Sequence, residues 1–123
     1  SAEKVFSEIT GGKYPRIVKP FDEDEVFIQN DRVVQKKVSQ MSRGTREQLY
    51  LSMRLGLIEE YESRSEPLPI VMDDVLVNFD DPRKAKVIAT LKRFAERRQI
   101  LVLTCHKASL EAYIEAGATR IVL

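Results

Sequence analysis

The apolar run Pro67-Leu68-Pro69-Ile70-Val71-Met72 ends in two adjacent carboxylates, Asp73 and Asp74. An aliphatic stretch of this kind reads as a buried strand, and its carboxyl end is where open α/β sheets place their ligands. Crowding two like charges costs free energy unless a cation, a proton or a hydrogen-bond network compensates. A divalent metal or an acid/base role is therefore one reading of the pair. A solvated loop that happens to open with two acids is the other, since clustered carboxylates mark sites only statistically.

The segments carboxyl-terminal to this run fix the class of fold. Asp81-Pro82 supplies a helix N-cap and a first-turn proline, and Val87, Ile88, Leu91, Phe94 and Ala95 then share one helical face. Residues 99–104 form a second apolar strand, 108–116 a short helix ended by Gly117, and 120–123 a third strand. Strand, helix, strand, helix, strand implies parallel pairing with right-handed crossovers.

The front of the chain is organised differently. Residues 2–9 place Val5, Phe6 and Ile9 at helical spacing before Gly11-Gly12, as the tail of a longer helix would. Residues 14–18, 25–29 and 32–38 are rich in β-branched and aromatic types, with Asn30-Asp31 as a two-residue hairpin turn, and predict a small antiparallel meander. Gly11-Gly12-Lys13 lacks the G-x-x-x-x-G-K-[ST] spacing of a phosphate loop and is read as a helix stop. Residues 46–60 alternate Leu49, Leu51, Met53, Leu55 and Leu57 as a strand does, yet they are strong helix formers. Thr45 with Gln48 makes a capping-box pattern, Ser42 is a second candidate cap, and the length exceeds a strand, so a helix with a broad buried face is predicted.

Size and charge narrow the function. The 123 residues, 43% of them hydrophobic, suffice for one core. With 20 Lys plus Arg against 19 Asp plus Glu, no general basic field announces nucleic acid or membrane. Clusters such as Lys36-Lys37 and Arg97-Arg98 read as solvated faces. The absence of a membrane-length apolar segment or a leader predicts a cytoplasmic chain with no membrane partner. Ser1 in place of Met, followed at once by a charged amphipathic stretch, predicts a piece of something longer. The single Cys105 excludes an internal disulfide and reads as a small hydrophobe rather than a nucleophile.

The predicted topology brings Asp73 and Asp74 to the same sheet edge as Thr104, Cys105 and His106. Carboxylates for metal and water beside an imidazole suit hydrolysis or transfer at a phosphate, although a histidine after a strand is also an ordinary surface or capping residue. The loop Ser39-Gln40-Met41-Ser42-Arg43-Gly44-Thr45-Arg46 before the long helix has the makings of an anion site, or of a plain cap.

Taken in order, Ser42-Arg43-Gly44-Thr45-Arg46-Glu47-Gln48, then Pro69-Ile70-Val71-Met72-Asp73-Asp74, then Val77-Asn78-Phe79-Asp80, then Leu103-Thr104-Cys105-His106 resemble the carboxyl-terminal lobe of an ABC-type ATPase. The motifs look like the signature loop, the Walker B strand, the D-loop and the switch histidine. They are most similar to those of SMC-like and DNA double-strand-break-repair ATPases. The resemblance covers residues 11–123, with 1–10 as the end of a helix returning from a coiled coil. It implies a P-loop NTPase half-domain, a β meander followed by a parallel βαβαβ unit, that uses ATP and Mg²⁺. Asp73 would hold Mg²⁺, Asp74 would polarise the attacking water and His106 would contact the γ-phosphate. Ser42, Arg43, Gly44 and Arg46 would meet ATP held by a second head across a dimer, and Asp80 would couple the two nucleotide sites. The implied partners are an amino-terminal lobe carrying Walker A, a second ATPase head, and DNA with a nuclease subunit.

Three departures bear on that pattern. Asp74 stands where the family has a glutamate one methylene longer, and Arg43 replaces the first signature glycine. No Walker A or Q-loop is present, so the chain alone is expected neither to bind ATP tightly nor to hydrolyse it. Two other readings exist. A receiver-type phosphoacceptor module would also use paired acids with Thr104 and Lys107, but it needs a phosphoacceptor aspartate on an intervening strand, and none is found. A non-catalytic dimerisation module would keep the motifs without the chemistry.

Overall fold

Helix α1, Ala2–Ile9, turns Val5, Phe6 and Ile9 to one side, and all three are fully buried. It stops where the sequence predicts. Gly11 and Gly12 take φ of 64° and 82°, and their amides donate to the Glu8 and Ser7 carbonyls at 3.1 and 2.7 Å. The computed structural model describes residues 1–20 and 25–123, and the chain divides into two compact units, Ser1–Glu66 and Pro67–Leu123.

In the first unit, strands β1 (Arg16–Val18), β2 (Phe27–Gln29) and β3 (Gln35–Lys37) form the expected antiparallel meander. The predicted two-residue turn is replaced by a longer one. Gln29 pairs with Gln35 and the Asn30 amide donates to the Val34 carbonyl at 3.1 Å, which leaves Asp31, Arg32 and Val33 as the loop. Asn30 works as its clasp: its side-chain oxygen accepts from the Arg32 and Val34 amides at 3.0 and 2.9 Å. Val33 takes the left-handed conformation, φ 62°, that a three-residue hairpin loop demands.

After a 3₁₀ turn at Val38–Gln40, helix α2 runs Arg43–Glu62. It starts three residues before the predicted point, because Ser42 rather than Thr45 is the cap. The Ser42 hydroxyl accepts from the Thr45 amide at 3.2 Å. Gln48 is thereby released from a capping-box role and donates instead to the Ile9 carbonyl at 2.9 Å, in a buried position. It satisfies one of the orphan acceptors at the end of α1. Leu49, Leu51 and Leu55 are buried, whereas Met53 and Leu57 of the same alternating series are 39% and 67% exposed. Helices α1 and α2 pack together, and the Phe6 and Tyr14 rings stack at 5.9 Å.

The second unit carries the parallel pairing. Strand β4 (Ile70–Asp73) lies beside β5 (Ile100–Leu103) in the register Ile70 to Ile100 through Asp73 to Leu103. Between them run a 3₁₀ turn, Leu76–Asn78, and helix α3, Asp81–Ala95. The cap of α3 is Asp80, not Asp81. Its carboxylate accepts from the Arg83 amide at 3.0 Å and pairs with the Arg83 guanidinium at 2.6 Å, while Asp81 enters the first turn, where a negative charge meets the helix dipole. Leu76, Val87, Leu91 and Phe94 form the buried interior, joined by Thr90. Ala95, expected on the same face, is exposed.

Arg98 is buried rather than solvated. It donates to the Phe94 carbonyl at 2.7 Å and lies 4.9 Å from the Phe94 ring centre, completing the carboxyl end of α3. Helix α4, Lys107–Glu115, ends at Gly117 with φ 106°. Residues 120–123 have the composition of a third strand, but they pair with nothing among the described residues, and Ile121, Val122 and Leu123 are 72%, 74% and 104% exposed. The two strands depart from expectation as well: Val71, Leu101 and Leu103 stand 63%, 38% and 50% exposed on an apolar sheet face. Among the described residues, no helix is long and apolar enough to cross a membrane.

Candidate functional site

Parallel register carries the acidic edge directly from the sequence. Asp73 is paired with Leu103, so the next residues, Asp74 and Thr104, leave the two strands side by side. Their side chains meet, the Thr104 hydroxyl donating to Asp74 Oδ2 at 2.8 Å. The Thr104 oxygen in turn accepts from the His106 amide at 3.1 Å. The convergence predicted for these strand ends is therefore present as a continuous chain of hydrogen bonds from Asp74 through Thr104 to the backbone of His106.

The two aspartates differ sharply in surroundings. Asp73 is exposed, and its carboxylate has no hydrogen-bond or ion-pair partner among the described residues. Asp74 is half-buried and heavily bonded. Besides Thr104, it accepts from the Leu76 amide at 2.9 Å and from the Tyr113 hydroxyl at 3.3 Å, and the buried Ser109 side chain further stabilises its charge. Burial pushes the Asp74 carboxyl up, but the bonds from Ser109, Thr104, the Leu76 amide and Tyr113 outweigh it and hold the group below its usual value. Tyr113 responds in the opposite sense. Burial, then the charge of Asp74 and the bond to it, push the phenol upward, so it stays a neutral donor.

Sequence reasoning does not single out Ser109 and Tyr113. They lie four residues apart on α4, hence on one helical face, but nothing in the sequence says which face of a short helix turns to a strand end. His106 is exposed and is the residue from which α4 starts. Cys105 is exposed, contrary to the expectation of a buried hydrophobe, because β5 ends two residues before it.

Asp73 suits Mg²⁺ as a lone ligand, since Mg²⁺ takes one or two carboxylates and completes its shell with water and substrate phosphates. No group of three or more His, Cys, Asp or Glu that could form a self-sufficient metal cage occurs among the described residues.

The remaining predicted residues belong to other settings. Ser42 caps α2, its hydroxyl 3.0 Å from that of Thr45. Arg43 opens the helix and is exposed, and Gly44 and Arg46 are half-exposed in its first turn. The amino end of a 20-residue helix thus presents backbone N–H groups and two guanidinium-bearing residues together. Asp80 is taken up by capping α3. Its carboxyl is held below the usual range first by the Arg83 amide, then by the Arg83 and Lys86 side chains.

No protein-family model matches the chain. The uncharacterized protein YhaN of Bacillus subtilis is 32% identical over 114 residues, which is 92% of this chain but 12% of YhaN. The SMC head domain from Thermotoga maritima superposes with a TM-score of 0.65 at 22% identity, covering 91% of this chain and 38% of that one. A structure from work on ATP-driven dimerization and DNA-stimulated activation of SMC ATPases gives a TM-score of 0.65 at 19% identity, covering 90% and 71%. The Smc head domain with an extended coiled coil bound to the C-terminal domain of ScpA, derived from Pyrococcus furiosus, gives 0.63 at 16% identity, covering 94% and 28%. The chain has the fold of the SMC ATPase head, and it spans about an eighth of the length of YhaN.

Proposed function

We propose that this chain is the carboxyl-terminal lobe of an SMC-like ATPase head, acting on Mg-ATP only when an amino-terminal lobe supplies the phosphate loop. The observation that carries the reading is the unengaged carboxylate of Asp73 at the end of β4, beside a strand end, Thr104 to His106, held by hydrogen bonds. In a head of this fold Asp73 holds Mg²⁺, which when bound neutralises charge developing on the phosphates. His106, exposed at the start of α4, contacts the terminal phosphate. Ser42, Gly44 and the Arg43 and Arg46 side chains at the start of α2 receive the ATP of a second head, so that nucleotide closes a dimer. Asp80, ordering the start of α3, links the loop after β4 to that interface. DNA transactions in repair or chromosome maintenance, with a nuclease subunit, are the setting that the motif set favours.

The exposed apolar face of β4 and β5 supports the need for a second lobe, because parallel strands are otherwise covered on both faces. The test is Mg-ATPase activity of the protein carrying both lobes. Hydrolysis is expected there, is expected to fall by roughly 10³-fold or more in Asp73→Ala, and is expected to be absent from this chain alone. ATP turnover by the chain alone that Asp73→Ala abolishes overturns the two-lobe reading.

A further inference from the structure

We infer that Asp74 is a positioning residue that fixes the His106 end of β5, and that it is not the group that takes a proton from water. The inference rests on the ATPase-head reading for its catalytic consequence, but its geometric basis is independent of it. A carboxylate offers about four lone-pair sites, and on Asp74 the Leu76 amide and the Tyr113 hydroxyl meet Oδ1 while Thr104 meets Oδ2, with Ser109 further stabilising the charge. A base must present a free lone pair within hydrogen-bond reach of the proton it removes. Here both oxygens are already engaged, Oδ1 by two donors and Oδ2 by the Thr104 hydroxyl.

These groups come from three segments. The Leu76 amide belongs to the 3₁₀ turn that follows β4, Thr104 is the residue after β5, and Ser109 and Tyr113 lie on α4. Asp74 thus ties three segments to one point. Thr104 passes the constraint on, since the hydroxyl that donates to Asp74 accepts from the His106 amide. The shorter side chain fits this work. A glutamate would carry its carboxylate one methylene further out, away from the amide two residues along the chain that Asp74 reaches at 2.9 Å.

The experiment uses the protein carrying both lobes and reads two quantities, hydrogen exchange at the His106 amide and the steady-state constants for ATP. Asp74→Ala is expected to speed His106 exchange about tenfold or more, although Asp74 does not touch that amide. Thr104→Val is expected to lower kcat about tenfold with KM within about twofold, and Thr104→Ser, which keeps the hydroxyl, to restore it. Asp74→Asn, which keeps an acceptor but cannot serve as a base, is expected to retain at least about a tenth of kcat. A loss of about 10³-fold in Asp74→Asn with Thr104→Val unaffected assigns Asp74 as the base and overturns the inference. Unchanged His106 exchange in Asp74→Ala overturns it as well. An unmutated protein without Mg-ATPase activity refutes the ATPase reading instead, while the exchange result still decides the positioning role.

Discussion

Val33 sits at φ 62° with its β-branched side chain 70% exposed. The left-handed region brings Cβ against the backbone and costs an L-residue roughly 1–2 kcal/mol, and an exposed valine recovers little of that by packing. Val33→Gly is expected to stabilise the chain by about 1 kcal/mol, read as a raised urea midpoint with unchanged m-value. Asp80 offers a pH-dependent counterpart. Its folded-state pKa is depressed, so its contribution is present above the unfolded value of 3.8 and is lost as pH falls through the lower folded value. Asp80→Ala should therefore lower the melting temperature at neutral pH and lower it less in strong acid, below the folded-state pKa. Neither feature is fully legible in the sequence. Asp80 and Asp81 are chemically identical candidates beside one proline, and the choice falls to the position that lets a side chain reach the Arg83 amide. The left-handed valine follows from strand register, which Asn30-Asp31 alone does not specify.

At the scale of elements, the contact of α1 with α2 depends on Gly56. A Cβ built there would collide with the Ala2 backbone nitrogen and lie 2.6 Å from its Cα, distances that real Cβ atoms do not show. Gly56→Ala gains about 1 kcal/mol of helix propensity but must push α1 away, and overpacking of this kind costs about 1–3 kcal/mol. The net expectation is destabilisation, measured by denaturant unfolding, with Gly56→Ser no better. Helix α2 also shows why periodicity misleads. Leu49, Leu51, Met53, Leu55 and Leu57 alternate in sequence, yet only the first, second and fourth are buried, because a helix sorts them by angle rather than parity. Composition identifies the helix; the burial of Gln48 does not follow from it, since that depends on where the end of α1 lies.

Over the whole molecule, the order of elements is readable because each strand and helix carries its own local signal, whereas the burial of the strands is not. The apolar runs of β4 and β5 match a sheet covered on both faces, yet one face, with Val71, Leu101 and Leu103, is exposed. Residues 120–123 likewise have strand composition and no strand beside them among the described residues. Both fit a sequence adapted to a larger sheet, since an unpaired strand edge leaves backbone N–H and C=O groups that a further strand would satisfy. If an amino-terminal lobe covers this face, a charge placed on it separates association from folding. Val71 is 63% exposed and is paired with Leu101 rather than with a charge, so Val71→Glu is expected to change the stability of the chain by no more than about 0.5 kcal/mol. Burying that charge on association costs several kcal/mol unless it is paired. The variant is therefore expected to bind the amino-terminal lobe at least about a hundredfold more weakly, read by titration calorimetry. Equal binding by the two proteins would assign the lobe to another face of the chain.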